Sequence, residues 1–134
     1  MAFVKSERLT NEPIIVNTYD GFVTAEDIRQ GALAVAEHAR HIEGNVYVVG
    51  DIHTTTSSFA EVLEILRDQT RGGEGTTTDP RIQVVLVGNT AMGKLFVDAM
   101  RHSKHGGVSV PMFPTMQAAL DSVRVMAQQY RQTA

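Results

Sequence analysis

Two kinds of apolar pattern alternate along this chain. Short β-branched runs stand at residues 14–16, 46–49 and 82–87, the last reading Ile-Gln-Val-Val-Leu-Val. Between them, apolar residues return every third or fourth position. Unbroken short runs mark strands covered on both faces, whereas the longer period marks amphipathic helices.

Residues 3–9 predict a short edge strand, and residues 13–19, opened by Pro13, predict a second. Asp20-Gly21 is a turn signal. Thr24 is placed to cap a helix, with Glu26 and Asp27 in its first turn. Ile28, Ala32, Val35, Ala36 and Ala39 give that helix an inward stripe to about residue 42, where Gly44-Asn45 closes it. After the strand at 46–49, a second helix is predicted over residues 58–70, with Phe59, Val62, Leu63, Ile65 and Leu66 inward. Residues 71–80, rich in Gly and Thr and ending in Pro80, read as a flexible connection. A third helix follows over about residues 90–102. A short strand over 108–113 is marked as irregular or at an edge by Pro111. Thr115 then caps a last helix with Met116, Ala119, Leu120, Val123 and Met126 inward. The order β(β)αβαβαβα predicts one α/β domain over residues 1–134, with right-handed crossovers and a mostly parallel sheet.

Composition narrows the function classes. The 134 residues carry 12 basic and 15 acidic side chains, a net charge of −3. No basic stripe of the kind that grips nucleic acid is present; Arg101, His102, Lys104 and His105 come nearest to one. The chain has no cysteine, which excludes a disulfide framework, a thiolate metal site and a cysteine nucleophile. The N-terminus has no apolar core of signal-peptide length, and no apolar run approaches the roughly 20 residues that span a bilayer. A cytoplasmic protein without a cofactor is the expectation.

Three stretches carry candidate chemistry. Gly88-Asn-Thr-Ala-Met-Gly93-Lys94 matches the opening of a phosphate-binding loop after a strand and before a helix. Leu95, however, stands where a magnesium-binding hydroxyl belongs, so the stretch reads first as a strand-to-helix turn with Asn89, Thr90 and Lys94 on a strand-end surface. Gly50-Asp51-Ile52-His53 has the look of a metallophosphoesterase opening, but the further ligands such a site needs are missing. His38 and His41 share a helix face without a carboxylate beside them. Thr54-Thr-Thr-Ser57-Ser58 precedes the second helix, and Ser58-Phe-Ala-Glu61 fits a capping box in which Glu61 folds back on Ser58. The same hydroxyls could carry a phosphate at a helix N-terminus. No Gly-x-Ser-x-Gly elbow is present for a serine hydrolase.

From about Pro13 to Val125 the chain resembles the SpoIIAA-like (STAS/SEC14-type) family of small α/β domains. The resemblance rests on Tyr19-Asp-Gly-Phe-Val-Thr-Ala-Glu-Asp27, Val-Val-Gly-Asp51, Arg81-Ile-Gln-Val-Val-Leu-Val-Gly-Asn89, and Val-Ser-Val-Pro-Met-Phe113 followed by Met116-Gln-Ala-Ala-Leu120. It implies a four- or five-stranded sheet with helices packed on it and no catalysis. In the family's anti-sigma-factor antagonists a serine in an Asp-Ser-Ser-Gly loop is phosphorylated. Ser57-Ser58 match that pair by type and place, while Thr56 replaces the acid and Phe59 the glycine. Other relatives bind lipids or small apolar ligands. The expectation is a non-enzymatic regulatory or binding module. It would act through a protein partner at Asp51, His53, Ser57 and Ser58, with Asn89, Thr90 and Lys94 beside them. A carrier of a small apolar ligand or lipid is the first alternative, and a phosphate-dependent enzyme using Gly88–Lys94 the second. An unpaired edge strand and apolar helix faces also point to a homodimer.

Overall fold

The computed structural model describes residues 1–102, 104 and 106–133, with side chains as far as Tyr130. Its strands are β1 (Phe3–Arg8), β2 (Ile14–Tyr19), β3 (Gly21–Phe22), β4 (Val46–Asp51), β5 (Thr55–Thr56), β6 (Ile82–Val87) and β7 (Met112–Phe113). The helices are α1 (Ala25–Ala39), α2 (Phe59–Arg71), α3 (Ala91–Met100) and α4 (Met116–Thr133). His105, part of the nearest approach to a basic cluster, lies outside the described residues. Among the described residues no helix is long and apolar enough to cross a membrane.

Five strands form the main sheet in the order β1-β2-β4-β6-β7. Only β1 runs antiparallel to its neighbour; β2, β4, β6 and β7 are parallel. The register sets Ile15 beside Val48, and Val48 beside Val84, across the sheet. Because side chains alternate, each strand feeds two cores. Ile14, Tyr47, Val49, Val85 and Val87 pack under Ala119, Val123 and Ala127 of α4. Ile15, Val46, Val48 and Ile82 meet Val35, Ala39 and Ile42 of α1 and its trailing turn, while α2 and α3 close over the rest of that face. The outer strand β1 carries a bulge between Phe3 and Lys5 and the charges of Lys5, Glu7 and Arg8, devices that discourage pairing at an open edge.

Local signals explain most of the elements. Thr24 and Asp27 form the capping box that starts α1. The helix stops at Ala39, short of residue 42. There the Arg81 guanidinium donates to the carbonyls of Ala39, Ile42 and Gly44, taking up acceptors left free at the helix end. On α2 the inward residues are Val62, Ile65 and Leu66; Phe59 and Leu63, one turn apart, face solvent at 59% and 40% exposure. The strand read over 108–113 shrinks to two residues, because Pro111 has no amide for the ladder and offers only its carbonyl to Leu86.

Residues 71–80, which composition reads as flexible, form a hydrogen-bonded loop. Gln69 Oε1 accepts from the amide and hydroxyl of Thr77, at 2.8 and 2.9 Å, and the Thr78 hydroxyl donates to the Gln69 carbonyl. Gly75, at φ +82°, lies so close to α1 that a Cβ would come within 2.2 Å of the Ala32 carbonyl oxygen. Only glycine fits there.

Candidate functional site

Strands β2, β4 and β6 end on the same side of the sheet, at Tyr19, Asp51 and Val87. Sites in open α/β sheets form beyond such carboxyl ends. A second, two-stranded sheet covers this one: β3 pairs with β5, Gly21 with Thr55 and Phe22 with Thr56.

Three of the strand-end hydroxyls are already engaged. Ser57 donates to the Val23 carbonyl at 2.7 Å, and Thr55 to the Ile52 carbonyl at 2.7 Å. Ser58 Oγ accepts from the Glu61 amide at 3.2 Å, capping α2. The Glu61 carboxylate departs from the expected box. Instead of folding back on Ser58, it accepts from the Ala25 amide at 2.8 Å, at the first turn of α1. The two helix starts are thereby tied together.

Asp51 and His53 make a local pair. Asp51 is nearly buried; its Oδ1 accepts from the His53 amide at 3.2 Å and lies 2.5 Å from His53 Nδ1. The imidazole is 57% exposed. Among the described residues no cluster of three or more His, Cys, Asp or Glu could hold a metal ion.

Gly88–Lys94 divides between two environments. Thr90 Oγ1 accepts from the Gly93 amide at 3.0 Å, so a side chain occupies a donor that a phosphate loop would leave for its anion. Gly93 is buried within α3, where a Cβ would stand 2.7 Å from Met112 Cε and 2.9 Å from Ile52 Cδ1. The glycine that completes the motif is there for packing. Asn89 and Lys94 face the other way, into a shallow groove with Asp98, Met112 and Pro114.

Between the sheet and helices α1, α2 and α3 lies an apolar cavity of about 140 Å³. Its floor is Asn17, Tyr19, Val48, Gly50, Val84 and Leu86; α1 contributes Ile28 and Ala32, α2 Val62, Ile65 and Gln69, and α3 Met92 and Phe96. Ile52, Thr55, Thr56, Ser57 and Thr90 line it from the strand-end loops. Ala32, Gly50, Gly75 and Gly93 also lie in its wall, the glycines at close approaches: a Cβ on Gly50 would stand 2.9 Å from Leu86 Cδ2.

Asn17 is the polar residue of that floor, 3% exposed on a strand otherwise rich in apolar positions. Its Nδ2 donates to the Gly31 carbonyl at 3.2 Å and the Tyr19 hydroxyl at 3.5 Å. A carbonyl can only accept, so the amide nitrogen must face Gly31. Asn17 Oδ1 is then left buried without a donor, one of two such side-chain atoms among the described residues. Burial pushes the Tyr19 hydroxyl up to about 12, against the lowering effect of the bond from Asn17, so it stays neutral at ordinary pH.

The candidate residues are therefore not one site. Ser57 and Thr90 line the cavity, while Asn89 and Lys94 open onto the shallow groove. Asp51, His53 and Ser58 line neither. Sequence reasoning passed over Asn17, Tyr19 and Gln69. The signal available was a lone asparagine at an inward position of a covered strand, where a polar group needs a reason.

No family model and no curated protein matches this chain. Among solved structures it is similar to an uncharacterised protein of the DUF3478 family from Shewanella loihica PV-4, described as having a SpoIIAA-like fold. The two are 16% identical, with a TM-score of 0.56 over 87% of this chain and 89% of the other. At that identity the likeness is one of architecture. With its five-stranded, mostly parallel sheet and, among the described residues, four helices, the chain has a SpoIIAA-like fold.

Proposed function

We propose that this chain is a non-enzymatic binding module that holds a small apolar ligand in the cavity beneath α1, α2 and α3, with the strand-end loops as its rim. The observation that carries this reading is the cavity of about 140 Å³. Protein interiors are packed to crystal density, and voids larger than a water are few. A closed apolar cavity of about 150 Å³ takes a benzene-sized guest, and this one, partly open to solvent, offers a similar volume. A drug-sized ligand needs roughly 300–1,000 Å³. The occupant is thus about one ring or one short acyl chain. Burying about 200 Å² of apolar surface at about 25 cal/mol per Å² gives about 5 kcal/mol, a Kd of roughly 0.1–1 mM.

Titration of isotopically labelled protein with toluene tests this. Amide shifts are expected to move for Val48, Gly50 and Leu86 in the floor, and to stay still for Ala119 and Val123 under α4. Ala32→Leu, which fills the cavity from α1, is expected to abolish the response. Absence of any shift at a toluene concentration of several times that Kd would sink the reading.

A protein partner at the strand-end surface is the second reading. It is favoured by Phe22 on β3 and Phe59 at the start of α2, 51% and 59% exposed. Photocrosslinking from position 59 in the cells of origin is expected to trap one protein, with exposed Asp121 on α4 as the control position. Equal labelling from both positions would remove it.

A further inference from the structure

The polar groups around the cavity fall into two sets. The hydroxyls of Thr55, Thr56, Ser57 and Thr90 are half-buried or exposed, and turn to solvent what they do not spend on Ile52, Val23 and Gly93. Asn17, Tyr19, Gln69 and Thr77 are buried. Asn17 is closed to a guest: its Nδ2 is held by the Gly31 carbonyl, and its Oδ1 is sealed off. The Tyr19 oxygen accepts from Asn17 and is pressed against α1, where a Cβ on Gly31 would come within 1.9 Å of it. Thr77 spends both its donors on Gln69.

Gln69, 4% exposed on α2, is different. Its Oε1 accepts from the Thr77 amide, and a backbone N–H can only donate, so the carboxamide cannot be turned the other way round. Nε2 then carries two hydrogens for which no described residue supplies an acceptor. Yet this nitrogen is not sealed in: among the described residues, the side-chain atoms both closed off and unpaired are Ser6 Oγ and Asn17 Oδ1. An almost wholly buried side chain that borders the cavity thus keeps an open donor.

Water can meet that donor while the cavity is empty. A hydrocarbon guest would displace the water and strand the N–H, which is costly. A guest with an acceptor at that point avoids the loss. The acceptor is neutral, because no Asp, Glu, Lys, Arg or His lines the space to answer a charge.

We infer that the ligand is a neutral molecule of about one ring or one short acyl chain that carries a carbonyl oxygen, and that Gln69 Nε2 donates to that oxygen. The inference rests on the cavity being a ligand site, as proposed above, and adds the polar end of the ligand to its apolar body. Compact ketones and esters have this chemistry. Hydrocarbons leave the donor unmet, and carboxylates bring a charge that nothing in the wall pairs. Thr77, by holding the other end of the carboxamide, fixes the direction in which Nε2 points.

The test compares cyclohexanone with toluene, which has the same number of heavy atoms, on the wild type and on Gln69→Met. Toluene leaves water more readily than the ketone, so the quantity to read is the ratio of the two affinities. Gln69→Met keeps the length of the side chain and removes the donor. It is expected to shift the ratio about tenfold toward toluene, the effect of losing one buried hydrogen bond. Toluene binding by the variant shows that the cavity is intact. A second readout needs no variant and decides the matter if Gln69→Met does not fold. In nitrogen-labelled wild type, a side-chain amide proton of Gln69 is expected to move downfield with cyclohexanone and not with toluene. If toluene binds but the ratio is unchanged in Gln69→Met, or the Gln69 amide ignores the ketone, this inference falls and the cavity reading stands. If neither ligand binds, both fall together.

Discussion

The two faces of the central sheet come from the same strands and are built differently. Under α4, Ile14, Tyr47, Val49, Val85 and Val87 interlock with Ala119, Val123 and Ala127, and most of these side chains are at or near zero exposure. On the opposite face the alternate positions of the same strands hold Asn17, Gly50, Val84 and Leu86, and three helices arch over an unfilled volume. Strand position, sheet twist and solvent are shared, so the difference lies in side-chain volume. One face is spent on packing. The other keeps a space and a polar group, a departure from core rules of the kind expected at functional sites.

Deleting atoms from each face gives the largest expected contrast. Ile14→Ala under α4 should cost about 2–5 kcal/mol, because the interlocked neighbours cannot collapse into the gap. Leu86→Ala on the cavity face should cost less than half as much, since that side chain already borders a void and has fewer contacts to lose. Chemical denaturation of the two variants, with unchanged denaturant slope, reads both numbers. Equal costs would mean that the cavity closes in solution and that the two faces are packed alike.

Titration gives the next effect, and it belongs to the polar residues at the end of the cavity face. The Tyr19 hydroxyl is raised from 10.0 to about 12 by burial. The folded state therefore holds its proton more tightly than the unfolded chain. The associated stability is fully present below pH 10 and is lost as pH rises towards about 12, roughly 3 kcal/mol in all. Asp27 behaves in the opposite sense. Burial works to raise it, but hydrogen bonds from Thr24, Phe3 and Ala2 prevail and hold it below its usual 3.8. Its contribution is present above that value and is lost as pH falls through the lower, folded one. Tyr19→Phe should flatten the alkaline arm of a pH–stability profile and Asp27→Asn the acid arm; Asp27→Asn should also trim the alkaline arm slightly, because the Asp27 charge adds to the rise of Tyr19. An alkaline arm that survives Tyr19→Phe would place the titrating group elsewhere.

The strands and helix starts were legible because their causes are local. Runs such as residues 46–49 and 82–87 announce covered strands, and Thr24 and Ser58 announce the helices they cap, whereas Thr90, read as a surface residue, proved to be the cap of α3. The two-stranded sheet was not legible, since Gly21-Phe22 becomes a strand only by meeting Thr55-Thr56, more than thirty residues away in the chain. Glu61 was misjudged for the same reason: its partner is the Ala25 amide of another helix. The cavity is harder still to read, because it consists of atoms that are absent. Its lining comes from three strands, three helices and the strand-end loops, and only the fold sets those residues around one space.

Adding atoms repeats the first contrast at a smaller scale. Ala119 has no exposure beneath α4, so Ala119→Leu should overpack that face and cost about 1–3 kcal/mol. Ala32→Leu places the same added volume into the cavity and should be neutral or mildly stabilising, with toluene binding lost. A destabilisation by Ala32→Leu equal to that of Ala119→Leu would mean there is no space to fill.

The smallest expected effect is a coupling close to zero, and it locates the edge of the cavity face. Ser58→Ala should cost about 1 kcal/mol by removing the cap of α2. Glu61→Ala should cost a similar amount by freeing the Ala25 amide at the start of α1. In a reciprocal capping box the two residues serve one helix end, and their losses would not add. Here Ser58 serves α2 and the Glu61 carboxylate serves α1, so the double variant should equal the sum within about 0.3–0.5 kcal/mol. Coupling above that range would return Glu61 to its own helix. Additivity, together with coupling between Glu61→Ala and Thr24→Ala, would show the two helix starts joined across the loop that lines the cavity beside Ser57.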